Sequence, residues 1–217
     1  MATITAIEIQ KRHPDRINVD LDGEYSFSLA GMPASGLKVG QSLDPGQVAA
    51  LQAEDADETA YQRALKMLSV RNRAESEIRT RLRRHKTPDD VIERTLARLR
   101  ERHFADDAKF AREWVENRSA FRPRGRSALA WELRQKGVPA ELTASALSAV
   151  DESMLAHQAG LKKARQLSSA NWQEFRTRVS AYLARRGFPG SVIASTVSDL
   201  WTETHAGSPS TNEEDIL

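Results

Sequence analysis

Cysteine is absent from the 217 residues. That excludes a disulfide framework, a thiolate metal site, an iron–sulfur cluster and a cysteine nucleophile, and nothing points to an oxidising compartment. Aromatic residues are scarce at 6%, fewer than a single globule of this length with one thick core usually carries. No apolar run approaches the ~20 residues of a membrane helix, and the first residues lack the basic-then-apolar order of a secretory signal. A soluble, cytoplasmic protein is the expectation. The five histidines, His13, His85, His103, His157 and His205, include no pair spaced four residues apart on one helical face, so no metal or other cofactor is expected. There is no Gly-x-x-x-x-Gly-Lys-Ser/Thr phosphate loop and no nucleophile elbow. Asp106-Asp107 stands at a helix start, where acids are favoured electrostatically. No enzyme is expected.

What is present is charge, unevenly placed. The chain totals +2, but residues 1–59 hold 4 basic and 10 acidic residues, residues 60–137 hold 21 and 11, and residues 138–217 hold 7 and 9. The neutral total hides a basic middle rich in arginine. Such a block fits an anionic partner such as nucleic acid, or an ordinary charged helical surface.

The first thirty residues alternate with period two: Ile7 and Ile9; Ile17, Val19 and Leu21; Tyr25, Phe27 and Leu29. Half-buried strands follow. Asp22-Gly23 suits a two-residue turn with both central φ angles positive. A three-stranded antiparallel meander is predicted over residues 1–55, closed by a short helix. That helix starts at Asp44-Pro45-Gly46-Gln47, with Asp44 as N-cap and Gln47 closing a capping box, and ends near Ala53.

From Glu58 onward the pattern is helical and it repeats. Leu82, Leu133 and Leu183 are 51 and 50 residues apart, each followed six positions later by Pro88, Pro139 or Pro189. Offsets nine, fourteen and seventeen are apolar in every copy, and Ile78, Leu129 and Val179 stand four residues before each leucine. Repeats of ~50 residues that cannot bury their own apolar face stack into an array. The fold expected is mainly α: an elongated tandem array of three three-helix repeats, at 58–104, 105–153 and 154–204, after the small β meander. Residues 205–217 read as a disordered acidic tail.

Thr87 and Pro88 are expected at the N-cap and N1 positions of the third helix of the first repeat. Gly137 and Gly187 are expected to end the middle helix of the other two. In the first repeat His85-Lys86 replaces that glycine, so its helix is expected to end differently. Trp114, Trp131, Trp172 and Trp201 fall at helical spacing beside apolar residues and read as core, as does Phe188.

Several of these residues carry a family likeness. Leu68-Ser69-Val70-Arg71-Asn72-Arg73 with Glu77-Ile78 and Leu82 resembles the opening motif of the RecX family of RecA regulators. Phe104-Ala105-Asp106-Asp107, Phe110-Ala111, Trp114, Arg118, Arg122-Pro123-Arg124-Gly125, Glu132-Leu133 and Lys136-Gly137-Val138 resemble its central motif. Tyr182-Leu183-Ala184-Arg185-Arg186-Gly187-Phe188 is similar to its last-repeat motif. Ala74 departs from it, standing where the family usually has a capping Ser or Thr. The resemblance implies a non-enzymatic regulator that lies along the groove of the RecA filament and restrains ATP hydrolysis, strand exchange and repressor self-cleavage. That places it in recombination, DNA repair and the SOS response. It also implies contact with single- or double-stranded DNA; the chain is expected to act as a monomer.

The candidate partner-binding residues are cationic. Arg122, Arg124 and Arg126 alternate in a proline-stiffened loop and present planar forks to phosphates or acidic side chains, unless the loop is simply solvated. Arg79 and Arg83 belong, with Arg81, Arg84 and Lys86, to the polar side of one helix. Arg71 and Arg73, in the opening motif, touch a partner or brace a turn. Arg118, Lys136, Arg185 and Arg186 complete the set through the motifs.

If the leucine repeat is structural, Leu133→Ala destabilises the protein by about 2–5 kcal/mol. A melting curve matching that of the wild type would count against the repeat.

Overall fold

The computed structural model describes residues 1–205, so the acidic tail expected at 205–217 lies, except for His205, which is helical, outside the described residues. They form an antiparallel sheet followed by three three-helix repeats. By internal contacts the chain divides into two units, Met1–Asp106 and Asp107–Leu217. The first holds the sheet and the first repeat; the second holds repeats two and three.

The sheet comprises β1 (Ala2–Ile9), β2 (Arg16–Leu21), β3 (Glu24–Ala30) and β4 (Ser42–Leu43), in the order β3-β2-β1-β4. The fourth strand was not visible in the sequence, because two residues carry no periodicity. Asp22 and Gly23 both have positive φ, at 52° and 90°, as the tight turn requires. Two register shifts explain where the alternation misleads. One extra residue on β1 between Ile4 and Ala6 and one on β3 between Tyr25 and Phe27 reset the faces, since one added residue turns the following side chains over. Ile4 is therefore fully buried and Tyr25 exposed, while Ile9, on the same face as Ile7, is exposed as the last residue of β1.

A one-turn helix, α1 (Gly31–Ala34), leads to β4 and then to α2 (Pro45–Leu68). The capping box of Asp44 with Gln47 is formed. The helix does not stop at Ala53, however; it runs on for 24 residues and serves both the sheet and the first repeat. Residues 54–59 are polar apart from Ala56 yet contain no glycine or proline to stop a helix, and both flanks hold them in place. On the sheet side Arg16 meets Asp55 at 3.0 Å, and Asp55 accepts a hydrogen bond from the Ala30 N–H. On the other side Glu58 accepts from Arg98 at 2.8 Å and Asp57 from Arg94, both on α4 (Asp89–Glu101).

The first repeat uses the second half of α2, then α3 (Glu75–Arg84) and α4. Tyr61, Ile78, Leu82, Ile92, Leu96 and Leu99 form its core. The second repeat is α5 (Asp107–Phe121), α6 (Arg126–Gln135) and α7 (Ala140–Leu147); the third is α8 (Glu152–Arg165), α9 (Trp172–Ala184) and α10 (Gly190–His205). Leu82, Leu133 and Leu183 are all fully buried, as are Ile78, Leu129 and Val179. At the start of each third helix the position buried in all three copies is one residue beyond offset nine. Ile92, Thr143 and Ile193 are buried throughout, a row that Thr143 hides from a purely apolar pattern, whereas at offset nine Val91 is buried but Leu142 and Val192 are only half-buried.

The middle helix ends the same way in every repeat. Gly137 and Gly187 have φ of 73° and 82°, and Lys86 takes φ 58° at the matching position. The first helix therefore ends like the others, with a lysine in the left-handed region at a cost of about 1 kcal/mol or more. Pro88 and Pro139 are extended, with ψ near 148° and 146°, and so occupy the N-cap position rather than N1. Their carbonyls, like that of Pro189, accept the first helical bond. Thr87 lies one residue further out. The tryptophan expectation is also corrected: Trp131 and Trp172 are exposed and Trp114 and Trp201 half-buried, whereas Phe188 packs inward.

Burial pushes the Glu58 carboxyl up, but hydrogen bonds from Gln62 and Arg98 and the charges of Arg98 and Arg102 outweigh it, holding the pKa below its ordinary 4.5. A group whose folded pKa is lowered adds stability above its unfolded pKa, and loses it as pH falls through the folded value. The melting-temperature gap between wild type and Glu58→Gln should therefore narrow as pH falls below about 4.5. A gap that stays constant in acid would show that the carboxylate charge adds nothing.

Candidate functional site

The eleven candidate cations divide by what they touch. Arg71 grips Glu77 with two hydrogen bonds, at 3.0 and 3.1 Å, and donates to the Asn72 carbonyl. Arg73 donates to the Met67 carbonyl near the end of α2. Both brace the turn between α2 and α3, where Ala74 supplies no side-chain cap. Arg79 pairs with Glu93 across to α4, and Arg83 with Asp89 at 2.8 Å. The hydrogen bond from Arg83 holds the Asp89 carboxyl below its ordinary pKa, against a smaller opposing push from desolvation.

In the second repeat the arrangement centres on Glu132, a buried carboxylate on α6. Its Oε2 accepts from Trp114 Nε1 and from Arg118 Nε, each at 2.8 Å, and its Oε1 lies 3.1 Å from Arg124 Nη1. Arg118 and Lys136 also lie over the Trp114 ring, 4.5 and 5.0 Å from its centroid. A buried carboxylate needs this many donors to replace its lost water. The sequence signal for it was available: Glu132 is the only acid between residues 117 and 140, among six basic residues.

Of the three alternating arginines between α5 and α6, Arg124 and Arg126 are engaged within the chain. Arg126 donates to the Val150 carbonyl at 2.5 Å, beyond the end of α7, while its backbone N–H donates to Glu152. The Gly125 N–H donates to the Arg186 carbonyl at 3.0 Å, and Arg186 Nη1 donates to the Pro123 carbonyl at 3.1 Å. Arg186 also covers the Tyr182 ring. The backbones approach so closely that a Cβ on Gly125 would stand 2.1 Å from the Gly187 carbonyl oxygen, and one on Gly187 2.6 Å from the Ala128 Cβ. The central and last-repeat motifs are thus two halves of one junction. Arg122 and Arg185 are different: both are exposed, and among the described residues neither side chain has a partner. Each is the chain neighbour of a junction residue.

The motifs that build this junction coincide with domains of known proteins. Family models for the RecX N-terminal domain and for the first, second and third RecX three-helix domains match residues 2–44, 60–99, 106–147 and 151–197. Regulatory protein RecX of Bacillus velezensis is 32% identical over 201 residues, covering 89% of this chain and 75% of that one. Regulatory protein RecX of Clostridium acetobutylicum is 30% identical over 212 residues, covering 94% and 98%. The chain belongs to the RecX family of regulatory proteins. A crystal structure of regulatory protein RecX superposes with a TM-score of 0.73 at 31% identity, covering 92% of this chain and all of the other. RecX from Lactobacillus salivarius, at 20% identity and a TM-score of 0.63, shares the fold.

Within this RecX chain the Gly125 contact leaves no room for relief, because all three nearest atoms belong to backbone. Gly125→Ala should cost about 1–3 kcal/mol, as overpacking does, and loosen the second unit. Hydrogen exchange of α6 and α9 unchanged from wild type would contradict the contact.

Proposed function

We propose that this protein is a non-enzymatic regulator that binds the RecA nucleoprotein filament along its helical groove and restrains RecA ATPase, strand exchange and support of repressor self-cleavage. The observation that carries the reading is the match to all four RecX domains, in order and in register, along the chain. Tandem helical repeats suit such a partner, because repeat proteins as a class bind extended targets. On this reading the protein acts as a monomer in the cytoplasm, where the filament forms.

A stand-alone DNA-binding role for the whole basic segment 60–137 is weaker on one observation. Arg71, Arg73, Arg79, Arg83, Arg94, Arg98 and Arg100 each hold an intramolecular acceptor, so contact with phosphates would have to compete with those bonds.

The direct test is RecA's DNA-dependent ATPase, which should fall as purified protein is added up to and beyond equimolar amounts. No effect at any ratio would end the proposal. Since Arg124, Arg126 and Arg186 are tied into the junction, the surface is better probed at Arg122 and Arg185. Arg122→Glu with Arg185→Glu should raise the half-inhibiting concentration about five- to thirtyfold, with the melting temperature unchanged. Unaltered inhibition would remove both from the interface.

A further inference from the structure

The first unit contains a cleft that none of the motif residues lines. Its volume is about 730 Å³, and it lies between the β1–β2 loop, α2 and the turn from α3 to α4. Arg63 and Lys66, three residues apart and so on one face of α2, line it together with Lys86, His85 and His13. Among the described residues none of these five side chains has a hydrogen-bond or ion-pair partner, unlike most arginines of the same repeat. Arg16 and Asp55 also line the cleft but neutralise each other. Apart from the two imidazoles, the remaining charged groups are three cations and Asp15, a net positive pocket.

Lys86 supplies a second, independent observation. It sits at φ 58°, where the other two repeats place Gly137 and Gly187. Glycine would adopt this turn without strain. A lysine held there keeps an unpaired ammonium at the lip of the cleft against its own backbone preference, and strain of this kind collects at functional sites.

We propose that this cleft binds the phosphodiester backbone of duplex DNA without reading its sequence. Phosphate is favoured over an acidic protein by the lining. The apolar groups there are Ala30, Ala56 and Pro88, which offer none of the aromatic or large aliphatic anchors that protein interfaces need. Separated point charges on flexible stems, with no aromatic side chain to stack a base, suit the track of a backbone. The site goes beyond RecA binding and does not depend on it.

The test measures the fluorescence anisotropy of a labelled duplex with the full chain, without RecA, across a salt series. Each lost duplex phosphate contact lowers the salt slope by about 0.9. Arg63→Gln, Lys66→Gln and Lys86→Gly combined should make the slope shallower by about two to three. Lys86→Gly alone should make it shallower by about one while raising the melting temperature by a few degrees. This single variant relieves strain and is expected to fold even if the triple does not. Inorganic phosphate should displace the duplex no better than chloride at equal ionic strength. The proposal is overturned if Lys86→Gly leaves duplex affinity and slope unchanged, if the folded triple variant loses only polyglutamate binding, or if free phosphate displaces the duplex preferentially. Because RecA is absent, a chain that binds duplex here yet leaves RecA ATPase untouched fails only the regulatory reading.

Discussion

Each repeat depends on one chain reversal, the left-handed residue that ends its middle helix. At Lys86, Gly137 and Gly187 the backbone turns so that the next N–H, of Thr87, Val138 or Phe188, reaches back to the carbonyl of Leu82, Leu133 or Leu183. The bond satisfies a carbonyl that would otherwise be orphaned at the helix end. It also fixes the direction in which the third helix leaves, since a proline follows two residues after the left-handed one and cannot continue the old helix. The leucines at these carbonyls are fully buried, so hydrogen bonding and core packing are decided at one place.

The three copies of the turn have diverged in what they do besides turning. In the third repeat the missing Cβ of Gly187 lets Ala128 approach, that of Gly125 lets the Gly187 carbonyl approach, and the turn becomes one side of the junction between repeats two and three. There only glycine meets two demands together, positive φ and close backbone approach. Lys86 in the first repeat meets the first demand at a cost of about 1–2 kcal/mol, which is substantial against a typical net stability of 5–15 kcal/mol. The lysine replaces a glycine that would have met the same demand without strain. The comparison is internal to one chain: the same turn, built three times, separates what folding requires from what it tolerates.

Most of the helical architecture was legible because buried leucines at a fixed spacing report directly on helix faces. Failures came where a second constraint was layered on the pattern. The two bulges reset a period-two signal within single strands, so Ile4 was missed and Tyr25 misplaced. The helix from Pro45 was ended near Ala53, since Arg16, Arg94 and Arg98, which hold the residues that follow, are distant in sequence. The arginine-rich loop was read as a platform for a partner or a solvated loop; Arg124 could not be assigned to Glu132, Arg126 to the Val150 carbonyl, or the loop's Pro123 carbonyl to Arg186 without knowing that three helices and two repeats converge there. The tryptophans were placed in the core by helical spacing alone, but spacing identifies a row of residues without saying which row faces inward.

The charge distribution changes meaning in the same way. Along the chain the acidic start and basic middle look like separate blocks, yet in the first unit they are partly one interaction. Asp57 and Glu58, from the acidic block, close on Arg94 and Arg98 of α4, while Arg98 also covers the Tyr61 ring at 3.7 Å. A segment's formal charge counts such guanidinium groups in full, although a phosphate would have to displace a carboxylate already in place. A local positive potential needs cations without a nearby opposite charge. By that criterion the cleft lined by Arg63, Lys66 and Lys86 is placed to attract an anion, whereas Arg79, Arg83, Arg94, Arg98 and Arg100 of α3 and α4 are each already held by a carboxylate.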